Sequence, residues 1–132
     1  MLLIATTDGL LAGHVGIVAE PDGTAEMKRL YVRPYARGLG LGERLVRAAL
    51  TTAAGLGCHT MKLVTVPGLM DSAIALYYRL GFQPMPRFGD LPLDNLLYLE
   101  RCIEPLDEAA ARALGAAPGQ GATLPSARCR VP

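Results

Sequence analysis

The densest run of chemically usable residues is Arg37-Gly38-Leu39-Gly40-Leu41-Gly42-Glu43. Alternating glycines let a backbone approach a ligand closely. Where such a run opens a helix, the free N–H groups of the first turn present a positive end to an anion. A pyrophosphate is the natural guest. The nucleotide classes narrow further, because a P-loop needs Gly-x-x-x-x-Gly-Lys-Ser/Thr and neither Lys nor Ser/Thr follows Gly42. A Rossmann fingerprint needs a third glycine where Glu43 stands and an acid about 20 residues on, whereas Arg44 to Met70 contains no Asp or Glu. By itself the run is also what a plain strand-to-helix turn looks like.

No other cluster competes with it. His14 and His59 lie far apart without a neighbouring Cys or Asp/Glu pattern, so no metal role is expected of them. Cys58, Cys102 and Cys129 are too scattered for a disulfide framework or zinc spacing, and reduced thiols are the expectation. Thirteen Lys plus Arg against twelve Asp plus Glu give a formal net charge of +1, which lacks the basic excess of a nucleic-acid binder. No apolar run approaches the roughly 20 residues that span a bilayer. The opening Met1-Leu2-Leu3-Ile4-Ala5-Thr6-Thr7-Asp8 has neither a basic nor a long apolar region of secretory type, so a cytoplasmic location is expected.

The elements that must position the glycine run follow from punctuation and period. With 132 residues, 51% hydrophobic and 19% charged, the chain suits one folded domain. Apolar runs at Leu2–Thr6, Leu11–Ala19 and Met27–Val32, separated by Asp8-Gly9 and Pro21-Asp22-Gly23, predict an antiparallel three-strand meander. After Pro34 the period changes. Leu41, Leu45, Ala49 and Ala53, with Val46 and Leu50 beside them, predict an amphipathic helix over 40–56, ended by Gly55 and Gly57. His59–Val66 reads as a strand. A helix capped by Asp71 or Ser72 then buries Ala73, Ile74, Leu76, Tyr77 and Leu80 and stops at Gly81. Phe82 returns the chain to the sheet, prolines 84, 86 and 92 make a loop or edge, and Leu96–Ile103 resumes strand character. The expected order is β-β-β-α-β-α-β. Residues 1–104 form the domain. The Ala/Gly/Pro-rich stretch 105–132 is expected to be largely disordered, with at most a helical turn or two between Asp107 and Leu114.

In this context the pattern Arg-x-x-Gly-x-Gly at 37–42, preceded by Met27-Lys28-Arg29-Leu30-Tyr31-Val32-Arg33-Pro34, resembles the acetyl-CoA-binding segment of the GNAT N-acetyltransferase superfamily. Ala73-Ile74-Ala75-Leu76-Tyr77-Tyr78-Arg79-Leu80-Gly81-Phe82 is similar to that superfamily's second hallmark, a helix ending in Leu-Tyr-x-Lys/Arg-x-Gly-Phe. The resemblance runs from about residue 2 to residue 103. It implies an α/β fold with a GNAT-like mixed sheet. It also implies transfer of acetyl from acetyl-CoA, as co-substrate and without a metal, to an amine of a small molecule or peptide.

The resemblance assigns roles residue by residue. Leu30, Tyr31 and Val32 meet the pantetheine arm, which pairs with their strand. Arg37, Gly38, Leu39, Gly40, Leu41, Gly42 and Glu43 hold the pyrophosphate. Arg33, Arg44 and Arg47 stand near enough to add charge, although exposed arginines on a helix are commonly just solvated, and Glu43 with Arg47 makes a favourable i, i+4 pair. Tyr77 becomes the general acid that protonates the departing CoA thiolate, since a phenol is protonated at neutral pH. On helical spacing alone it would read as core. Tyr78, about 100° around the helix, is the structural control. Glu26, at the start of the strand leading to the site, is the expected base for the attacking amine, or equally an exposed strand-end residue.

The chain departs from the family in two places. Members normally begin with a further strand and one or two helices that wall the acceptor site, and these are missing ahead of the first strand here. Met70 stands where many members carry an asparagine that binds the cofactor arm, and a thioether cannot donate as an amide does. Two other functions therefore stay open: a non-catalytic acyl-CoA-binding or regulatory module, and a subunit whose acceptor site is completed by a partner chain. An apolar edge carrying Leu2, Leu3 and Ile4 is expected to lie open and to drive homodimerisation, unless the 107–114 turn folds back over it.

Overall fold

The computed structural model describes residues 1–105. Strand β1 (Leu2–Thr7) turns into β2 (Leu10–Ala19) through Asp8-Gly9. Both loop residues have positive φ, 52° and 80°, the combination that lets a two-residue loop match the right-handed twist of its strands. Strand β3 (Thr24–Val32) follows the Pro21–Gly23 turn. There the Asp22 carboxylate accepts hydrogen bonds from the Thr24 hydroxyl at 2.6 Å and the Thr24 N–H at 2.9 Å, which hold its pKa below the usual value.

After a 3-10 turn at Pro34–Ala36, helix α1 (Leu41–Gly55) carries the chain over the sheet to β4 (Thr60–Thr65), which runs parallel to β3. A parallel neighbour requires such a crossover. Leu45, Val46, Ala49 and Ala53 form the buried stripe of α1. Each full burial of a Leu- or Val-sized side chain contributes about 1.5–3 kcal/mol, and the alanines let helix and sheet approach closely. The helix ends where Gly57 takes φ 83°, its N–H donating to Ala54 O and the Cys58 N–H to Ala53 O. Helix α2 (Asp71–Arg79), the two-residue β5 (Gln83–Pro84) and β6 (Leu97–Cys102) complete a six-stranded mixed sheet in the order β1-β2-β3-β4-β6-β5.

The core lies between the helices and one face of the sheet. Val15, Ile17, Met61, Leu63, Phe82 and Leu99 are its most enclosed sheet-side members, with Val46 from α1. The expected element order holds, with β5 added as a short edge against β6 where Pro84 is tolerated. Three local expectations are corrected. Neither Asp71 nor Ser72 caps α2: Met70 holds the cap position without a side-chain bond, because the Asp71 carboxylate accepts the Gly68 N–H at 2.8 Å. Leu3 does not share the open face with Leu2 and Ile4. Alternation along β1 turns Leu3 and Ala5 into the core while Leu2 and Ile4 stay exposed. Cys58 is a buried free thiol, its pKa pushed up by burial, but Cys102 is disulfide-bonded. The expected tail helix at 107–114 lies outside the described residues, as does all but Pro105 of the expected disordered segment.

No described helix is long and apolar enough to cross a membrane. The histidines have local explanations. His59 packs on the Gly23 turn, where a Cβ would come within 2.6 Å of its ring, and His14 faces the Tyr31 ring at 5.7 Å between centroids.

Candidate active site

The site begins with an interrupted pairing. Strands β3 and β4 are paired only at Thr24, Ala25 and Glu26 against Thr60, Met61 and Lys62; beyond Glu26 and Lys62 they separate. The cause is on β3. Its register with β2 passes from Gly16↔Lys28 to His14↔Tyr31, so β3 spends one more residue than β2, and Arg29 sits at φ 57°. That bulge bends and twists the strand away from β4. From Met27 to Val32, β3 therefore has backbone groups facing β4 with no strand opposite them, inside the sheet and not at its rim.

The gap is a cavity of about 670 Å³, within the range of ligand sites. Glu26, Leu30, Tyr31, Val32, Arg37, Gly42 and Tyr77 line it, so seven of the residues singled out from the sequence converge there. Leu63, Val64 and Thr65 of β4, Met70, Ser72, Ala73 and Leu76 of the α2 region, and Leu91 supply further wall. Gly38, Leu39, Gly40, Leu41 and Glu43 do not line the cavity. They form the loop and first helical turn at its edge, with Leu39 exposed and Leu41 packed against the core. Gly38 and Gly40 take φ 82° and 76°, with open space where a Cβ would stand. This loop delivers the N-terminus of α1 to the mouth of the cavity.

Electrostatics divide the cavity into an apolar interior and a charged rim. Tyr77 is 6% exposed and tilts against Phe82 at 5.6 Å. Burial pushes its pKa up to about 12, because an apolar surround disfavours phenolate. Tyr78 points outward and is half exposed, as helical geometry requires. Glu26 is largely buried, and its carboxylate lies 3.7 Å from the Lys28 ammonium. Arg37 is exposed, and its Nε donates to Val32 O at 3.0 Å while its guanidinium lies 5.8 Å from the Tyr31 ring centre, bracing the end of β3. Glu43 pairs with Arg47 at 3.5 Å and Arg79 at 4.0 Å, tying α1 to α2 at the exposed surface.

A sequence model described as the acetyltransferase (GNAT) family matches residues 1–82. The chain belongs to this family. It is 40% identical over 77 residues to an uncharacterised N-acetyltransferase of Schizosaccharomyces pombe, covering 58% of this chain and 47% of that protein, so it spans about half the length of that relative. A Klebsiella pneumoniae structure assigned as an acyl-CoA N-acyltransferase superposes with a TM-score of 0.73 at 34% identity, covering 78% of this chain and 72% of that one. The fold also matches a Thermoplasma acidophilum PaiA N-acetyltransferase solved with coenzyme A, with a TM-score of 0.66 at 22% identity, covering 77% and 60% of the two chains. The mixed sheet of this GNAT chain is the fold that it shares with those two solved structures.

Met70 stands in the cavity wall of this GNAT domain, where its sulfur accepts a hydrogen bond from the Thr65 hydroxyl at 3.5 Å. Sequence reasoning missed Lys28 and Arg29 as wall residues. Their approach to the cavity depends on the bulge, which a non-glycine positive φ leaves unmarked in the sequence. The elevated Tyr77 pKa carries a pH prediction. A phenol whose pKa is pushed up to about 12 stays protonated through the neutral and mildly basic range, so any turnover that needs the Tyr77 proton should show no Tyr77-dependent fall up to about pH 10. A pH–rate profile showing a Tyr77-dependent fall below that point would contradict the desolvated phenol.

Proposed function

We propose that the chain is an N-acetyltransferase moving acetyl from acetyl-CoA to an amine of a small molecule or peptide. The observation that carries this reading is the separation of β3 from β4 beyond Glu26 and Lys62, with Tyr77 in the wall of the resulting cavity. The free backbone edge from Met27 to Val32 suits an extended arm with alternating amide groups, which adds to it as another strand would. The residues fit pantetheine on one side and, at the α1 N-terminus beside Gly38, Gly40 and Gly42, a pyrophosphate. Leu30, Tyr31 and Val32 hold the arm, and the Arg37–Glu43 loop holds the phosphates.

Glu26 is the base in this reading and Tyr77 the acid. Glu26 accepts a proton from the attacking amine, directly or through water. Tyr77 donates to the sulfur as the thioester breaks. Both groups line one cavity, so a single bound substrate can lie between them. The test is CoA release with acetyl-CoA and a panel of amines, run beside calorimetric acetyl-CoA binding. Amine-dependent release supports the transferase. Binding without release for any amine makes the chain a non-catalytic acyl-CoA-binding module.

One observation favours a second chain at the site. Leu2, Ile4 and Val18 are exposed on the face of the sheet that also carries Glu26, since Ile4 opposes His14 and Val18 opposes Glu26. An uncharged edge strand beside such a face invites pairing, and a homodimer is the simplest form. Ile4→Lys is the informative substitution, because Leu3 faces the core. It should convert a dimer to monomer in light scattering at tens of micromolar concentration. A wild-type chain that is already monomeric there would defeat the dimer.

A further inference from the structure

Of the thirteen Lys plus Arg residues, only Lys28 and Lys62 are lysines. Both flank Glu26. Lys62 is its register partner across the β3–β4 pairing, and the Lys28 Nζ lies 3.7 Å from its Oε2. Arginine cannot serve as an amine nucleophile, because its guanidinium stays protonated. The chain therefore places its two side-chain amines beside the proposed base and none elsewhere.

The two amines differ in what holds them. Lys62 is 14% exposed, pairs with Glu20 at 3.1 Å and lies 4.6 Å over the Phe88 ring. It belongs to a packed ion pair outside the cavity lining. Lys28 is 50% exposed on its side chain, lines the cavity together with Tyr77, and carries a flexible four-carbon stem. Its amine stands where an acceptor amine must stand to use Glu26. The third amine of the chain, at Met1, donates to Ile17 O at 2.8 Å at the far edge of the sheet.

We infer that Lys28 is an acetyl acceptor in its own right: the chain acetylates the Lys28 Nζ in cis from acetyl-CoA. The inference rests on the proposed transferase reading and deepens it. The Lys28 ammonium gives one proton to Glu26 or water, and the free amine attacks the acetyl carbonyl carbon. The N–C bond forms as the C–S bond breaks. Sulfur leaves as the thiol with the Tyr77 proton, and the second amine proton returns the phenol through solvent. In sum, an ammonium and a thioester become an amide, a thiol and one released proton. The amide carries no charge, so acetylation also removes the cation beside the Glu26 carboxylate.

The experiment is incubation of the purified chain with acetyl-CoA, followed over time by intact mass and by mapping of the acetylated peptide. The expected result is one added acetyl group, on Lys28 and not on Lys62 or the Met1 amine. Its first-order rate constant should be unchanged on tenfold dilution of the protein, and Glu26→Gln should slow it by roughly 10²-fold. Lys28→Arg should abolish the added mass. Equal labelling of Lys62 or Met1 would mark simple chemical acetylation, a rate constant that falls with dilution would mark transfer between molecules, and an unlabelled chain that still acetylates added amines would exclude Lys28. Each overturns the inference while leaving the transferase reading intact. Absence of calorimetric acetyl-CoA binding overturns the transferase reading itself.

Discussion

Tyr77→Phe should lower amine-dependent turnover by roughly 10²- to 10⁴-fold while leaving acetyl-CoA affinity within a factor of about three, a difference of well under 1 kcal/mol. The asymmetry follows from where the hydroxyl acts. Tyr77 is buried against Phe82, and phenylalanine keeps that ring contact and the cavity's shape. On the proposed mechanism, what is lost is the O–H donor offered to the sulfur as negative charge develops on it. With its pKa pushed up to about 12, the phenol is a weaker acid than an ordinary thiol, which titrates near 8.5. Full proton transfer to a well-hydrated thiolate would thus run uphill. The same apolar surround raises the basicity of a thiolate released beside it, and a hydrogen bond to the developing charge is worth most where water is excluded. Tyr78→Phe is the control, because Tyr78 is half exposed on the outer face of α2. Single-turnover kinetics and calorimetry decide the point. Equal losses from the two substitutions, or a loss of affinity matching the loss of rate, would mean that Tyr77 acts through packing.

Much of this arrangement was legible because its signals are local. Asp8-Gly9 marks a tight hairpin, the 3.6-residue recurrence from Leu41 to Ala53 marks a helix, and alternating glycines ahead of it mark the loop that enters that helix. The hallmark around Tyr77 likewise points to a side chain that lines the cavity. The features missed are those that depend on register or on competition between partners. The bulge that parts β3 from β4 centres on Arg29, a residue type with no preference for positive φ, so neither the cavity nor the presence of Lys28 in its wall is written in composition. Asp71 reads as a cap, yet its carboxylate is taken by Gly68. Leu2, Leu3 and Ile4 read as one apolar run, and only the pleat divides them between core and surface.

Gly40→Val should weaken acetyl-CoA binding by roughly tenfold or more while the chain remains folded. Gly40 sits at φ 76° immediately before α1, in the left-handed region that costs an L-residue about 1–2 kcal/mol, and more for a β-branched one. Nothing lies within 4 Å of the position its Cβ would take. The substitution therefore meets no protein atom, and its effect comes from backbone strain and from crowding whatever approaches the loop. Strain at this point tilts the first turn of α1, whose free N–H groups the proposed function sets against a pyrophosphate. A change of 1.4 kcal/mol in that convergence already amounts to tenfold in affinity. Gly9→Val separates the two causes. Gly9 has φ 80° and equally open surroundings, but it lies in the β1–β2 loop, away from the cavity lining. Both variants should lose comparable thermal stability. Only Gly40→Val should lose cofactor affinity as well. Calorimetric titration of the two variants beside thermal melts makes the comparison: undiminished affinity in folded Gly40→Val would remove the glycine loop from the binding site, and equal affinity losses in both would trace the effect to global destabilisation.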